Sequence, residues 1–324
     1  MPRAGEDRIQ TRGTNRKAMP RARILQVIRA LVAVLCCGAV ARPQSPAQRS
    51  LYFTVEEGDK LVTGLTEQNF RLTEDGQPVT FRLAPPETPI LITLLVEYSQ
   101  ASGLYLNDIE TALKEFMDAA PEGNWYALAT FAQEVQIHVD FTKRKGEILA
   151  TYSGLGQPFW GEVNTYDAIY DTLEKLELLP GRRVLIVIGS GLNTLSGHTL
   201  TDVQKKVEAT DVVVFGIGAG SMLRGQYDAY LSTGARMQLT QAEAFFQMLA
   251  KKSGGQAFFP RFETAYRDVM RAVHTMLQHQ YRIIYESRLR PDNKFHRVKL
   301  EAFQMVDDKR KDFTVRVREG WRFR

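Results

Sequence analysis

Three stretches of the sequence gather side chains that could do chemistry: Glu97-Tyr98-Ser99-Gln100-Ala101-Ser102, Gly161-Glu162-Val163-Asn164-Thr165, and Gly189-Ser190-Gly191-Leu192-Asn193. Ser190 between two glycines loosely imitates a nucleophile elbow, but the Gly-x-Ser-x-Gly spacing is missing. His198 is the only imidazole close to it in sequence, so a serine hydrolase is disfavoured. Gly216-Ile217-Gly218-Ala219-Gly220 copies part of a dinucleotide fingerprint. No glycine-initiated helix and no ribose-binding acid about 20 residues on accompany it, so it reads as a buried strand and its exit turn. The five histidines (His138, His198, His274, His279 and His296) show no ligand spacing. These exclusions point away from an enzyme and toward binding by loop residues.

The elements that must position these loops follow from periodicity. Ile90 to Val96 and Val184 to Ile188 are continuous apolar runs, the pattern of strands buried on both faces. Trp125 to Ala132 and Val212 to Ile217 read as further strands, and Ala257-Phe258-Phe259 as a last short one. Between them run amphipathic helices, one carrying Leu106, Ile109, Leu113 and Phe116 on a single face. Another carries Ala168, Ile169, Leu173 and Leu176 and is stopped by Pro180-Gly181. A third carries Leu200, Val203 and Val207, and Thr264 to Gln280 forms the last. Thr240-x-x-Glu243 predicts a capping box at the start of the helix that ends at Gly254-Gly255. This alternation predicts an α/β fold with a doubly wound, mostly parallel, Rossmann-like sheet over residues 89–280. Residues 50–84 and 281–324 instead alternate apolar and polar side chains, the pattern of half-solvated antiparallel strands. Each set is too small to stand alone, so the two flanks are expected to pair into one small β domain with the α/β domain inserted between them. The C-terminal flank has 13 Lys/Arg against 7 Asp/Glu, read as a solvated strand face and not a nucleic-acid site.

In open α/β sheets ligands bind beyond the carboxyl ends of the strands, which is where the three oxygen-rich stretches fall. Taken with Leu61-Val62-Thr63-Gly64-Leu65-Thr66, Glu74-Asp75-Gly76, Ser253-Gly254-Gly255-Gln256-Ala257-Phe258-Phe259-Pro260, His279-Gln280-Tyr281 and Arg318-Glu319-Gly320-Trp321, they carry a resemblance. Over roughly residues 50–324 the chain resembles von Willebrand factor A-type domain proteins, and more closely the bacterial VWFA-related family of Acidobacteria. That resemblance implies a rim that holds a divalent ion, usually Mg²⁺, through Asp-x-Ser-x-Ser, a Thr from the second loop and an Asp from the third. Here Glu97 stands for the first Asp, Ser99 is kept, and Ala101 replaces the second Ser, with Ser102 one residue late. Val163 falls where the Thr belongs, with Thr165 two residues on, and Ser190 replaces the last Asp. One of the two carboxylates is lost and the other sits on a longer side chain. Mg²⁺ needs near-ideal octahedral geometry and sheds water reluctantly, so the expectation is no resident cofactor, and at most weak Mg²⁺ at Glu97, Ser99 and Thr165. The hydroxyls of Ser99 and Thr165 are as well suited to capping and loop hydrogen bonds.

Charge and leader set the compartment. The chain of 324 residues carries a formal net charge of +5, and residues 1–41 account for more than all of it. Eight Lys/Arg there face only Glu6 and Asp7, so 8 − 2 = +6 and the remainder is −1. A basic partner-binding face for nucleic acid is therefore not expected. Arg21 and Arg23 precede an apolar stretch ending at Ala39-Val40-Ala41, the pattern of a secretory signal peptide, with Met19 just before it as an alternative start. The run is short for a membrane span, which needs about 20 residues, although a retained signal anchor is the competing reading. Cys36 and Cys37 are the only cysteines, so cleavage after Ala41 leaves a mature chain without disulfides or thiolate chemistry. The expected function is an exported, periplasmic or extracellular protein-interaction module with an unidentified protein or cell-surface partner. Its binding rim would be Glu97–Leu104, Phe159–Thr165 and Ser190–His198, with Tyr98, Ser102, Trp160, Ser190 and Asn193 as contacts. A scaffold subunit of an envelope assembly, with nothing bound at the rim, is the alternative.

Overall fold

In the computed structural model the described residues are 47–220, 229, 231–262, 264–289 and 291–323. Residues 1–46, with the expected signal peptide and both cysteines, lie outside them. The first strands are β1 (Ala47–Glu57), β2 (Lys60–Leu61), β3 (Phe70–Glu74), β4 (Gln77–Pro78) and β5 (Phe81–Ala84). The α/β segment follows: β6 (Ile90–Glu97), α1 (Leu106–Ala119), β7 (Trp125–Phe131), β8 (Val135–Thr142), α2 (Lys145–Ser153) and α3 (Thr165–Glu177). It continues with β9 (Arg182–Gly189), α4 (Leu200–Ala209), β10 (Val213–Gly218), α5 (Thr233–Ser253), β11 (Ala257–Phe258) and α6 (Ala265–Gln278). Four strands close the chain: β12 (Tyr281–Ser287), β13 (Phe295–Val306), β14 (Lys309–Arg316) and β15 (Gly320–Arg322).

The α/β sheet has the order β11-β10-β9-β6-β7-β8. Every pairing is parallel except that of β8, which lies antiparallel to β7 at the edge. The apolar runs alternate between the two faces, as the period-2 geometry of strands requires. Ile92, Leu94 and Val96 of β6 join Ile109, Leu113, Phe116, Met270 and Val273 under α1 and α6. Leu95, with Leu185 and Val187 of β9, joins Ile169, Leu173, Val203, Phe246 and Leu249 under α3, α4 and α5. Each Leu, Ile or Phe so buried contributes about 1.5–3 kcal/mol.

The strands on either side of this segment share one sheet, ordered β4-β3-β13-β14-β1-β12-β5. Residues 47–53 of β1 pair with β12, and Thr54–Glu56 pair with β14, so one strand from the N-terminal flank joins two from the C-terminal flank. Leu51, Phe53, Phe70, Leu72, Ile283, Tyr285, Leu300 and Trp321 form their common core.

The start of α5 differs from the sequence expectation. Thr240 does not cap this helix. The helix begins at Thr233, and the Ser232 hydroxyl accepts the Ala235 amide at 3.1 Å. Thr240 lies about two turns inside, where its hydroxyl donates to the Arg236 carbonyl at 2.9 Å, the usual interior use of a helical Thr. The far end is as expected: Gly254, at φ 87°, takes the left-handed conformation that ends a helix.

Candidate functional site

Glu97 is the last residue of β6 and Ser190 the first after β9, two strands that are direct neighbours. Their register carries the Glu97 side chain, wholly buried, to the end of β9. Its Oε1 accepts the Ser99 hydroxyl at 2.8 Å, and its Oε2 accepts the Ser190 amide at 2.6 Å and the Ser190 hydroxyl at 2.7 Å. The two serine oxygens then accept in turn, Ser99 Oγ from the Ser102 amide at 3.3 Å and Ser190 Oγ from the Leu192 amide at 3.1 Å. Gly189 makes room for this, since a Cβ there would stand 2.7 Å from Glu97 Oε2. The Tyr105 phenol lies fully buried beside the carboxylate. Burial, and then the charge of Glu97, hold its pKa well above the ordinary 10.

The other expected contacts are placed as follows. Ser102 is buried, and its hydroxyl donates to the Ser99 carbonyl at 2.7 Å, closing the 3₁₀ turn Gln100–Leu104. The buried Thr165 hydroxyl donates to the Leu192 carbonyl. Asn193 Oδ1 accepts the Tyr166 amide at 3.1 Å and so caps the first turn of α3 from the neighbouring loop. Tyr98 is half-buried, and its hydroxyl donates to the Gly156 carbonyl. Trp160 is exposed and meets Phe159 edge to face at 5.3 Å. Glu97, Ser99 and Ser190 thus converge, Ser102 adjoins them, and Thr165 turns away to a carbonyl.

The oxygens of this donor set are already hydrogen-bonded within the protein. A hard cation needs free carboxylate and hydroxyl lone pairs facing one point. Here both carboxylate oxygens are already acceptors, and the hydrogens of Ser99, Ser190 and Thr165 are already donated within the protein. Among the described residues, no three or more His, Cys, Asp or Glu side chains gather as a metal site.

The rim is tied together by its own hydrogen bonds. The Gln100 amide donates to the Trp160 carbonyl at 2.8 Å, and the Thr194 amide to that of Val163 at 2.8 Å. Sequence reasoning missed Asp167, whose carboxylate accepts the Gly197 and His198 amides at 2.8 and 2.7 Å and faces His198 Nδ1 at 2.7 Å. The imidazole also stacks on Tyr170 at 3.8 Å. Burial works against ionisation of Asp167. The two amides and the imidazole outweigh it and hold the carboxyl below its ordinary pKa. The signal was present as an acid in the first turn of a helix, where amides of a neighbouring loop can reach it. Around this framework four large apolar side chains face solvent: Leu104 (56% exposed), Phe159 (74%), Trp160 (42%) and Leu195 (73%).

The α/β segment is a doubly wound, mostly parallel sheet with one antiparallel edge strand, helices on both faces and three loops at the strand ends. Among solved structures, this chain is similar to an aerotolerance-related membrane protein from Bacteroides fragilis at 14% identity, covering 59% of this chain and 99% of that one, with a TM-score of 0.46. It is also similar to a von Willebrand factor type A protein from Catenulispora acidiphila at 10% identity, covering 87% and 75%, with a TM-score of 0.47. A third is proximal thread matrix protein 1 of the mussel byssus, with a zinc-occupied MIDAS motif in that protein, at 15% identity, covering 60% and 46%, with a TM-score of 0.42. No family model and no curated protein matches the sequence. Among the described residues, no helix is long and apolar enough to cross a membrane.

Proposed function

We propose that this chain is an exported protein-interaction module that binds its partner at the von Willebrand factor A-type rim without a divalent ion. The observation that carries this reading is the position of Glu97. Its carboxylate occupies the centre of the rim and takes its hydrogen bonds from Ser99 and Ser190, the residues that would otherwise share an ion with it. Electrostatic attraction through a metal is then replaced by surface contact. Exposed aromatic and aliphatic anchors on a rigid frame suit that role, as interface energy concentrates in such side chains. Leu104, Phe159, Trp160 and Leu195 supply them. The charged leader with its Ala39-Val40-Ala41 end supports export. A hydrolase is disfavoured because the Ser190 hydroxyl donates to a carboxylate, not to an imidazole base.

Two measurements test the proposal. Calorimetric titration of the mature protein with Mg²⁺ and Mn²⁺ should give no micromolar binding, and capture of a partner from envelope extract should be the same with and without EDTA. Trp160→Ala and Leu195→Ala should each reduce that capture. Micromolar metal binding, or capture that EDTA abolishes, would reinstate an ion at the rim. Capture untouched by both substitutions would favour a scaffold whose rim is idle.

A further inference from the structure

Beside the rim, between the loop 154–160 and the β7–β8 hairpin, lies a cavity of about 440 Å³. This is within the range of about 300–1,000 Å³ typical of small-molecule sites. The loop contributes Gln157, Phe159 and Trp160, the hairpin contributes Gln133, Gln136 and His138, and Tyr98 stands where β6 ends. Phe159 and Trp160 meet at 79°, so two perpendicular rings form an exposed aromatic corner at its mouth. Gln136 and Gln157 are exposed, and the Thr130 hydroxyl lies 2.7 Å from His138 Nε2.

The lining selects a class of ligand by exclusion. Among the described residues no Lys or Arg lines the cavity, and its single charged lining side chain is Glu134, so an anion has little to hold it. Burial keeps His138 below its ordinary pKa, hence neutral at neutral pH, and it adds no cation. A purely apolar ligand would strip water from the exposed Gln136 and Gln157 amides without replacing their hydrogen bonds, at a cost. What fits is a neutral molecule with one apolar face and many hydroxyls. Carboxamides both donate and accept, and so match vicinal hydroxyl pairs. Aromatic faces stack on the C–H side of a sugar ring, and their amphipathic character suits a half-wet site. We propose that this cavity binds a short neutral saccharide. The cavity shares Phe159 and Trp160 with the rim but does not depend on the rim being free of metal.

The experiment is a titration of the mature protein with cellotriose, tri-N-acetylchitotriose, maltotriose and xylotriose, followed by calorimetry and tryptophan fluorescence, with choline as a cationic control. At least one trisaccharide should saturate. Trp160→Ala and the double substitution Gln136→Ala/Gln157→Ala should each weaken it by about tenfold or more while leaving the thermal midpoint unchanged, since all three side chains are exposed. Leu195→Ala, which tests the protein-binding rim, should leave saccharide affinity as it was. No saturable binding of any of the four up to about 10 mM, where even a 1 mM site would be some nine-tenths filled, overturns the proposal. So does binding that ignores both substitutions, or binding of choline alone.

Discussion

Glu97 and Ser190, 93 residues apart in sequence, are joined twice: one carboxylate oxygen accepts both the amide of Ser190, at 2.6 Å, and its hydroxyl, at 2.7 Å. Charge-assisted hydrogen bonds of this kind are about twice as strong as neutral ones, and this pair is wholly buried. Glu97→Ala would strand three buried donors, the two serine hydroxyls and the Ser190 amide, and open a void beside them. The expected loss is about 3–5 kcal/mol in urea unfolding. Glu97→Gln keeps the shape but turns an N–H₂ toward groups that are themselves donors, and should cost about 1–3 kcal/mol. A loss below about 0.5 kcal/mol for both would mean that the carboxylate is not what holds the loops together.

Gly189 gives an independent check on the same packing. A Cβ at 189 would lie 2.7 Å from Glu97 Oε2 and 2.8 Å from Glu97 Cβ, closer than side chains normally approach. Gly189→Ala should therefore destabilise the protein by about 1–3 kcal/mol through overpacking. In the Glu97→Ala background the part of that penalty due to the carboxylate should vanish, while the part due to the Cβ of residue 97, 2.8 Å away, remains. A double-mutant cycle reads the difference as an interaction energy of about 0.5–1.5 kcal/mol, and strict additivity would contradict the contact with the carboxylate.

The parts of this architecture that can be read from the sequence are those where one periodicity dominates. β6, β9 and β10 are buried on both faces, so their apolar runs are unbroken and their helices fall between them. β8 has no such signature, because as an edge strand it exposes Gln136, Ile137 and Asp140. Helix α2 buries only Ile148 and Tyr152 at its nine positions, too little to mark a stripe. The rim loops are legible from strand-end chemistry, but the use of Glu97 is not. In the sequence Glu97 is one carboxylate at a strand end, whereas only the fold shows that its reach delivers that carboxylate to Ser190. Likewise nothing in the spacing of Asp167 and His198 says that the loop after β9 folds back onto α3.

Arg318 presents a second long-range tie, between the flanking sheet and the α/β domain. Its guanidinium is buried and donates to the carbonyls of Thr210 at 2.8 Å, Glu208 at 3.1 Å and Val207 at 3.3 Å, which end α4. It also lies 3.3 Å from the centre of the Trp321 ring. A planar fork meets three helix-end carbonyls that would otherwise lack partners, and its charge complements the negative end of the helix. Arg318→Lys keeps the charge but loses the fork and the stacking, for an expected cost of about 2–4 kcal/mol. The measurement is urea unfolding of the lysine variant beside the parent. A change within about 0.5 kcal/mol would show that the carbonyls find other donors.

The flanking sheet also carries a pH-dependent clasp. His296 faces Asp75 Oδ2 through Nδ1 at 2.7 Å and Asp292 Oδ1 through Nε2 at 2.9 Å, so both ring nitrogens must be donors and the imidazole is charged when the clasp is complete. Burial opposes that charge, but the bonds to the two carboxylates outweigh it, and the pKa of His296 is raised. Asp75 is held below its ordinary value: burial opposes this, and the bonds from His296 and the Arg297 amide prevail. Asp292 is lowered chiefly by its bond from His296. A histidine pKa raised on folding adds stability that is complete below its unfolded value, about 6.5, and is lost as pH rises through the folded one. The lowered aspartates act in the opposite sense, adding stability above about 4 that is lost as pH falls through their folded values. The clasp is therefore strongest between about pH 4 and 6.5. The stability difference between the parent and His296→Gln, followed by denaturant unfolding across pH, should be largest near pH 5–6 and shrink both toward pH 9 and toward pH 3. A difference that is flat over that range would mean the imidazole is not titrating within the clasp.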